Sequence, residues 1–372
     1  MNFIRGAFKR TSIFLEDIIM SNIKKYIPAI AAILLVLLGV GIPIYQKNTQ
    51  PEQYKKYYID AFDTATQIIG YADSEETFGE RANLINEELI RYHKLYDIYN
   101  NYGSINNLRT INSNAGKEPV KVDKEIIELL QFSIDLYKKT DGEINIAMGK
   151  VLRIWHNYRT AGINDPEQAE LPPMEVLQEA AKHCDINDII VDEEASTVYL
   201  ADPEMSLDVG SIGKGYAVQK VAEYARELGY DNLVINCGGN TISIGPKADN
   251  SNWIFGIQNP DLESENDILE RVSITDMCLV TSGDYQRFYV VDGVEYCHII
   301  DPDTLMPPNY FSAVSIICDN SGLADALSTA LFNMPYEDGL KLINSIDNAE
   351  AIWVYEDGTF MYSENFESYI VE

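Results

Sequence analysis

The sequence predicts an α+β domain preceded by one N-terminal transmembrane helix. Three observations support this fold class: a long uncharged apolar run near the N-terminus, helical spacing of apolar residues in the first half, and short strand-like runs between turn residues in the second half. Helices grouped before strands are typical of α+β folds, whereas regular alternation would indicate a doubly wound sheet. The 372 residues, 46% of them apolar, are sufficient for one large domain.

The apolar run covers residues 26–45 and contains no charged side chain. A helix of this length spans about 30 Å, the thickness of the hydrocarbon core of a bilayer. Lys24 and Lys25 lie directly before it, and a basic flank stays on the cytoplasmic side. We therefore expect a single-pass protein of the plasma membrane, with a basic cytoplasmic tail (1–25), an anchor (26–45), a tether (46–57) and an extracytoplasmic domain (58–372). A buried core helix is the alternative, and cleavage of the anchor stays open, although no A-x-A site follows it.

Periodicity and turn residues predict the elements of the domain. Apolar residues at helical spacing predict helices over 75–99, 123–139, 174–183, 213–228 and 323–333. Runs rich in β-branched and aromatic residues predict strands over 188–199, 232–235, 241–245 and 253–258. Asp292-Gly293 and Asp357-Gly358 each predict a hairpin, because Asp-Gly is favoured in two-residue turns.

The charge and the cysteines restrict what the protein binds. The formal net charge is -30, which argues against a nucleic-acid-binding protein because such proteins neutralise phosphates with basic surfaces. An anionic ligand therefore needs a metal ion or a local cluster of cations. The five cysteines show no C-x-x-C spacing, so we expect mainly small buried thiols, with one disulfide left open.

Two glycine-containing stretches follow predicted strands. In the segment 206–216, three glycines surround Lys214 directly before a helix, and such a loop can hold a phosphate with its free N–H groups. The spacing is neither a Walker loop nor G-x-G-x-x-G, so a tight turn with a solvated lysine explains it equally well. The second stretch, Asn236-Cys-Gly-Gly-Asn-Thr241, is by itself only a turn or a bulge.

Two further stretches contain candidate reactive groups. Thr281-Ser-Gly-Asp-Tyr285 is followed by His298-Ile-Ile-Asp-Pro-Asp-Thr304, where the histidine is either a base or a structural partner of an aspartate. On the last predicted helix, Asp325 and Thr329 are four residues apart, so both oxygens face one side and could share a cation. The alternative is that Asp325 caps the start of the helix.

In chain order, these four stretches resemble the FAD:protein FMN transferase family, also called the ApbE family. Its motifs D-x-G-x-x-x-K-G, G-G-[DN], T-S-G-[DS]-Y, H-I-I-D-P and A-D-A-x-[ST]-T-A occur here in that order. The resemblance extends from about Tyr57 to the C-terminus and includes Phe62-Asp-Thr64 and the segment 141–149. The departures are Cys237, Cys297 next to the histidine, and Asn145 in place of a common aspartate.

The resemblance implies a Mg²⁺-dependent transferase that moves FMN from FAD to a Ser or Thr hydroxyl of another protein and releases AMP. Implied metal ligands are Ser211, Asp325 and Thr329, with Ser328 assisting. Implied contacts to FAD are Asp208 and Lys214 and, around the adenine, ribose and flavin, Phe62, Tyr99, Glu143, Ile144, Asn145 and Ile299. His298 is the implied base that takes the proton of the acceptor hydroxyl.

The implied partner is a second protein. The acceptor motif of the family's targets, [ST]-G-A-[ST], does not occur in this chain, so we expect the acceptor to be an extracytoplasmic flavoprotein, such as a membrane redox subunit. Two alternatives stay open at this point. A hydrolase with the same site would split FAD into FMN and AMP, and a non-catalytic protein would only bind FAD.

Overall fold

The computed structural model describes residues 51–372. The predicted tail, the predicted anchor and the first part of the predicted tether lie outside these residues. Within 51–372, no helix has the length and apolar character needed to cross a bilayer. The predicted tether (46–57) overlaps a strand that starts at Glu52, so its last residues belong to the folded domain.

Fifteen strands are found in the described part of the chain. Their bounds are β1 Glu52–Ala61, β2 Thr64–Ala72, β3 Val120–Lys121, β4 Ile189–Asp192, β5 Thr197–Leu200, β6 Leu233–Cys237, β7 Asn240–Ile244, β8 Trp253–Gln258, β9 Ile268–Ile274, β10 Cys278–Gly283, β11 Phe288–Val291, β12 Val294–Cys297, β13 Ala313–Cys318, β14 Ala349–Val354 and β15 Phe360–Tyr362. Eight of them form the main sheet, in the order β1-β2-β6-β7-β10-β13-β14-β15. Its neighbouring strands from β2 to β15 pair antiparallel.

Eight α-helices lie in the same part of the chain. Their bounds are α1 Glu75–Tyr96, α2 Leu108–Ser113, α3 Lys124–Lys139, α4 Gly149–Asn164, α5 Met174–Ala181, α6 Gly213–Glu227, α7 Ser321–Asn333 and α8 Tyr336–Ile343. The start of α1 is fixed by Ser74, whose hydroxyl accepts a hydrogen bond from the Thr77 N–H. Asn320 caps α7 in the same way through the Leu323 N–H.

Both faces of the main sheet are covered. On one face, α1, α6 and α7 pack on the strands and form the largest core, which contains Leu89, Val218 and Val280. On the other face, the β8–β9 hairpin and Phe366 cover a smaller core that contains Leu279. Adjacent residues of β10 thus enter different cores, as the two-residue period of a strand requires. A third cluster joins α4 and α5 to the β11–β12 hairpin beside the sheet.

The mixed α+β class and most predicted elements are confirmed. The five predicted helices correspond to α1, α3, α5, α6 and α7, and both Asp-Gly turns join hairpins. The predicted strand 188–199 is instead a hairpin of β4 and β5, because a turn at 193–196 interrupts it. Sequence periodicity missed α4, whose buried side includes two glycines, Gly149 and Gly162, and therefore carries few large apolar residues. All five cysteines are free thiols, four of them buried.

Candidate active site

A cavity of about 480 Å³ opens where the β1–β2 turn, the end of α1, the start of α4, the loop before α6 and helix α7 meet. This volume lies within the usual range for small-molecule sites. Nearly all residues implied by the resemblance line it, although they are widely separated in sequence: Phe62, Tyr99, Glu143, Asn145, Asp208, Ser211, Lys214, His298, Ile299, Asp325 and Thr329. Ile144 does not, because its side chain is fully buried in the largest core.

The crossing of α6 and α7 positions the carboxylate of Asp325. Its Oδ2 accepts a hydrogen bond of 2.7 Å from the N–H of Gly215, at the start of α6. A Cβ at Gly215 would collide with the Ser321 carbonyl oxygen and the Asp325 Cβ, so only glycine permits this approach. Asp325 lies in the second turn of α7, which Asn320 caps, and the capping interpretation of Asp325 is therefore wrong.

The oxygens around Asp325 fit a hard divalent cation. The hydroxyls of Thr329 and Ser211 line the cavity and have no hydrogen-bond partner among residues 51–372. Ser328 is already engaged, since its Oγ donates to the Asp325 carbonyl oxygen at 2.9 Å and lies 2.8 Å from the Ser282 hydroxyl. No group of three His, Cys, Asp or Glu side chains in the described residues could hold a metal. One carboxylate plus hydroxyls, completed by substrate phosphates, is the donor set that Mg²⁺ accepts.

Burial and a nearby cation shift the pKa of Asp325 in opposite directions. Removal from water raises the pKa of its carboxyl, and Lys214 lowers it. Lys214 itself is not a solvated lysine, because its Nζ donates to the Gly238 carbonyl oxygen at 2.7 Å. Gly238 has φ +52° and lies so close to Thr64 that a Cβ would collide with that side chain. The two glycine stretches of the sequence therefore meet at one wall of the cavity.

His298 also lines the cavity, and its Nδ1 is buried without a hydrogen-bond partner. Burial, together with the charges of Arg287 and Arg159, lowers the pKa of His298 to about 3. The imidazole is therefore neutral at pH 7, as a base must be, but it is a weaker base than an exposed histidine.

The carboxylate of Asp301, three residues after His298, is hydrogen-bonded within its own loop. Its Oδ1 accepts N–H bonds from Asp303 and Thr304, and its Oδ2 accepts the Thr304 hydroxyl at 2.9 Å. These three bonds fix the loop after His298, so the carboxylate has a structural role.

Two arginines that the motifs did not reveal face the same cavity. Arg159 lies on α4 and Arg287 lies between β10 and β11. Within residues 51–372 neither forms an ion pair, and Arg287 adds to the burial that lowers the pKa of Arg159. Unpaired cations placed together in an acidic chain indicate an anion-binding wall. No sequence signal pointed to them, because each arginine stands outside the recurring motifs.

Aromatic rings flank the opening of the cavity. Phe62 and Asp63 form the β1–β2 turn with φ of 55° and 50°, a conformation that usually requires Asn-Gly. The Phe62 N–H donates to His93 Nδ1 at 3.2 Å, and the two rings meet edge to face, which holds the strained turn. Tyr99 is 44% exposed and packs against His156. Such ring faces suit the stacking of planar heterocycles.

Glu143 and Asn145 differ in whether their side chains are already hydrogen-bonded within the protein. Asn145 Nδ2 donates to the Cys184 carbonyl oxygen at 3.0 Å, and its Oδ1 accepts the Ala147 N–H at 2.9 Å. Asn145 is therefore bound to the protein itself. Glu143 Oε2 is buried without a partner, and burial, together with Asp301, raises the pKa of this carboxyl to about 7.

Comparison with known proteins shows the family of the chain. The profile of the ApbE family matches residues 62–353. A FAD:protein FMN transferase of Treponema pallidum is 32% identical over 67% of this chain and 71% of its own length. The chain belongs to the ApbE family.

Other ApbE-family proteins extend the comparison. A FAD:protein FMN transferase of Klebsiella pneumoniae is 28% identical over 68% of this chain and 76% of its own length. The crystal structure of an ApbE protein from Thermotoga maritima superimposes with a TM-score of 0.74 at 29% identity, covering 86% of this chain and all of the other. A flavin transferase ApbE from Vibrio cholerae, with a TM-score of 0.71 at 23% identity, shares the fold.

The departures from the ApbE motifs leave the cavity groups in place. Cys237 is fully buried, and its sulfur lies 3.5 Å from the Thr66 hydroxyl. Cys297 is buried below the His298 segment, and its sulfur lies 3.6 Å from the Ile299 carbonyl oxygen. Both thiols fill core positions outside the cavity lining.

Proposed function

We propose that this protein transfers the FMN half of FAD to a Ser or Thr hydroxyl of another protein and releases AMP. The observation that carries this proposal is the convergence, in one cavity, of oxygen donors for a metal, unpaired cations and a neutral histidine. The names of the related proteins support the same reaction. The protein is an enzyme of the transferase class.

The proposed reaction replaces one phosphorus–oxygen bond by another. The acceptor hydroxyl oxygen attacks the FMN phosphorus, the bond from that phosphorus to the bridging oxygen breaks, and AMP leaves with that oxygen. The acceptor's proton moves to a base. Lys214, Arg159 and Arg287 would face the pyrophosphate and offset the charge that develops as the bond breaks.

Asp325, Thr329 and Ser211 would hold Mg²⁺. A bound Mg²⁺ would supply Lewis-acid polarisation of the phosphoryl oxygens and fix their orientation. The cation is needed because the chain has a net charge of -30 and repels a dinucleotide at long range.

His298 would receive the proton at Nδ1 or Nε2. In the free protein its pKa is low, first because it is buried and then because Arg287, Arg159 and Lys214 lie near it. A bound pyrophosphate neutralises these cations, so its arrival raises the basicity of the imidazole. Substrate binding would thereby activate the base at the time when it is needed.

The acceptor would be a membrane redox protein, and the reaction would take place outside the cytoplasm. This part of the proposal depends on the apolar segment 26–45 and on Lys24 and Lys25 before it. Protease added to intact cells should digest the domain. Digestion only after lysis would overturn the proposed topology.

The reaction can be tested with the purified protein, FAD, Mg²⁺ and an acceptor protein that contains an [ST]-G-A-[ST] segment. We expect a flavin-fluorescent acceptor band that survives denaturing electrophoresis, one AMP released per flavin attached, and loss of both signals with a chelator. An acceptor with the hydroxyl residue changed to alanine is the control. Free FMN without labelled acceptor would indicate the pyrophosphatase, and bound FAD without turnover would indicate a carrier.

A further inference from the structure

Helix α7 presents three polar side chains along one face. Asp325, Thr329 and Asn333 are spaced four residues apart, and all three line the same cavity. At 1.5 Å rise per residue, Asn333 lies about 6 Å beyond Thr329 and about 12 Å beyond Asp325 along the helix. The proposed metal and phosphate contacts use the first two residues and leave Asn333 without a role.

Asn333 is almost completely buried, with 3% of its surface exposed, yet neither atom of its amide has a hydrogen-bond partner within residues 51–372. A buried amide without partners costs folding free energy, so native proteins usually satisfy it with protein, water or ligand. Its position on the cavity wall makes a ligand edge a suitable partner.

Glu143 has the same property. Its Oε2 is buried and unpartnered, and it lines the cavity beside the segment that the family resemblance associates with FAD. A second cavity, of about 500 Å³, adjoins the first, and Glu143 and Asn333 are the two residues that line both. The two unpartnered side chains therefore both belong to the partition between the cavities.

We propose that Asn333, together with Glu143, binds the edge of one of the two ring systems of FAD through a neighbouring hydrogen-bond donor and acceptor. An amide offers both a donor and an acceptor in one plane, and an asparagine can therefore bind such an edge with two hydrogen bonds. The proposal rests on the proposed use of FAD. It makes Asn333 a binding residue that determines specificity and places it one to two helical turns from the phosphates.

Two parts of FAD carry such an edge: the amino group and ring nitrogen of adenine, and the imide N–H and carbonyl of the flavin. Both edges present a neighbouring donor and acceptor, so ligands that contain only one of the two rings are needed to distinguish them. ADP contains only the adenine edge, and FMN contains only the flavin edge.

The test is the affinity of the full-length protein for FAD, ADP and FMN, measured by flavin fluorescence and by competition. Asn333→Leu keeps a side chain that branches at Cγ and removes both hydrogen bonds, so we expect FAD to bind about ten-fold more weakly, the usual loss for a buried pair. The affinity for either ADP or FMN, but not for both, should fall by the same factor. In the double variant with Glu143→Gln, the losses should be non-additive if both side chains hold one edge.

Asn86→Leu is the matched control. Asn86 is a buried asparagine of α1 with an unpartnered Oδ1, but it lies outside the cavity lining. This variant should lower thermal stability and leave all three affinities within about two-fold of wild type.

Three outcomes would overturn the proposal. If Asn333→Leu binds all three ligands with wild-type affinity, the amide is hydrogen-bonded to internal water instead. If its affinities for ADP and for FMN fall equally, the substitution has distorted the pocket. A wild-type protein that does not bind FAD would overturn the inference and the proposed function together. FAD binding without flavin transfer, with the selective loss in Asn333→Leu, would overturn only the proposed function.

Discussion

The two adjoining cavities have similar volumes but differ in the number of cations in their linings. The first, of about 480 Å³, contains Lys214, Arg159 and Arg287 in its lining, beside five carboxylates: Asp63, Asp97, Glu143, Asp208 and Asp325. The second, of about 500 Å³, has one lysine, Lys139, and five carboxylates: Asp141, Glu143, Asp301, Asp303 and Asp338. In a chain of net charge -30, carboxylates are expected in both linings, and three cations in one of them are the exception. The comparison shows that the placement of cations, not the volume, marks the site for an anionic dinucleotide.

The carboxylates of the two cavities also differ in their hydrogen bonds and ion pairs. In the second cavity, Asp301 holds its own loop, and Asp338 pairs with Lys341 at 2.8 Å on exposed α8. Asp325 in the first cavity is buried among the cavity-lining residues, and its Oδ2 accepts the Gly215 N–H. The same residue type is thus structural on one side of the partition and available for chemistry on the other.

Replacement of Asp325 should produce the largest difference between the cavities. Asp325→Ala removes the one charged oxygen of the proposed Mg²⁺ site, so we expect transfer to fall by at least about 10³-fold, the upper range for one electrostatic contact. Asp338→Ala makes the same change in the second cavity and should leave the rate within about two-fold. Single-turnover rates at saturating Mg²⁺ measure both. Equal rates in the two variants would contradict the assignment, and circular dichroism must show that both are folded.

The histidine separates binding from chemistry within the first cavity. His298→Asn should slow transfer by about 10²–10⁴-fold, the usual contribution of a positioned general base. FAD affinity should stay nearly unchanged, because a neutral imidazole adds little to the binding of an anion. Single-turnover transfer and fluorescence titration, performed on the same preparation, compare the two quantities. Equal losses in rate and affinity would instead mean that His298 shapes the pocket.

The sequence predicted those parts of the site that lie within one short segment. Asp325 and Thr329 share one helix face, and Gly210, Gly213 and Lys214 share one loop, so spacing alone brings them together. Ile144 shows the limit of this reasoning, since it lies beside Glu143 in sequence but points into the core. Neighbouring residues of an irregular segment face different directions, and sequence does not fix which one reaches the cavity.

Arg159, Arg287 and the low pKa of His298 could not be predicted in this way. The two arginines come from elements more than 120 residues apart, and only tertiary packing brings them to one histidine. The helices were predicted better, because helical periodicity is local, whereas the main-sheet strands β1, β2, β10 and β13 were not predicted. The charge of the site is a property of the assembled fold.

The arginines provide a test of the basic wall. Arg159→Gln and Arg287→Gln should each raise the dissociation constant of FAD by about 10–100-fold, because each removes a charge-assisted hydrogen bond to a phosphate. The salt dependence of binding should become weaker in both variants. Arg226→Gln is the control, since Arg226 pairs with Asp276 at 3.1 Å and lines neither cavity. Wild-type affinity in both cavity variants would remove the arginines from the site.

The smallest expected effect is a change in the free energy of unfolding when Glu143, in the partition between the cavities, is replaced. The pKa of its carboxyl is raised from 4.5 to about 7 in the folded protein, so folding favours the protonated form. The contribution of Glu143 is therefore fully present below about pH 4.5, decreases as the pH rises to about 7, and is absent above that. Glu143→Gln stays neutral at every pH and should be more stable than wild type at pH 8, by about 1–2 kcal/mol after allowance for solvent screening.

At pH 4.5 the two proteins should be equally stable. Urea unfolding at both pH values, with an excess of chelator and without FAD, measures the difference, and the exposed Glu194→Gln serves as the control. A difference that does not change with pH would mean that the glutamine alters packing. A larger stability gain at low pH would contradict the sign of the shift. Glu143 lies between the two cavities. Burial and then the carboxylates of Asp301, Asp303 and Asp141 raise its pKa, so bound FAD, which is an anion, should raise it further.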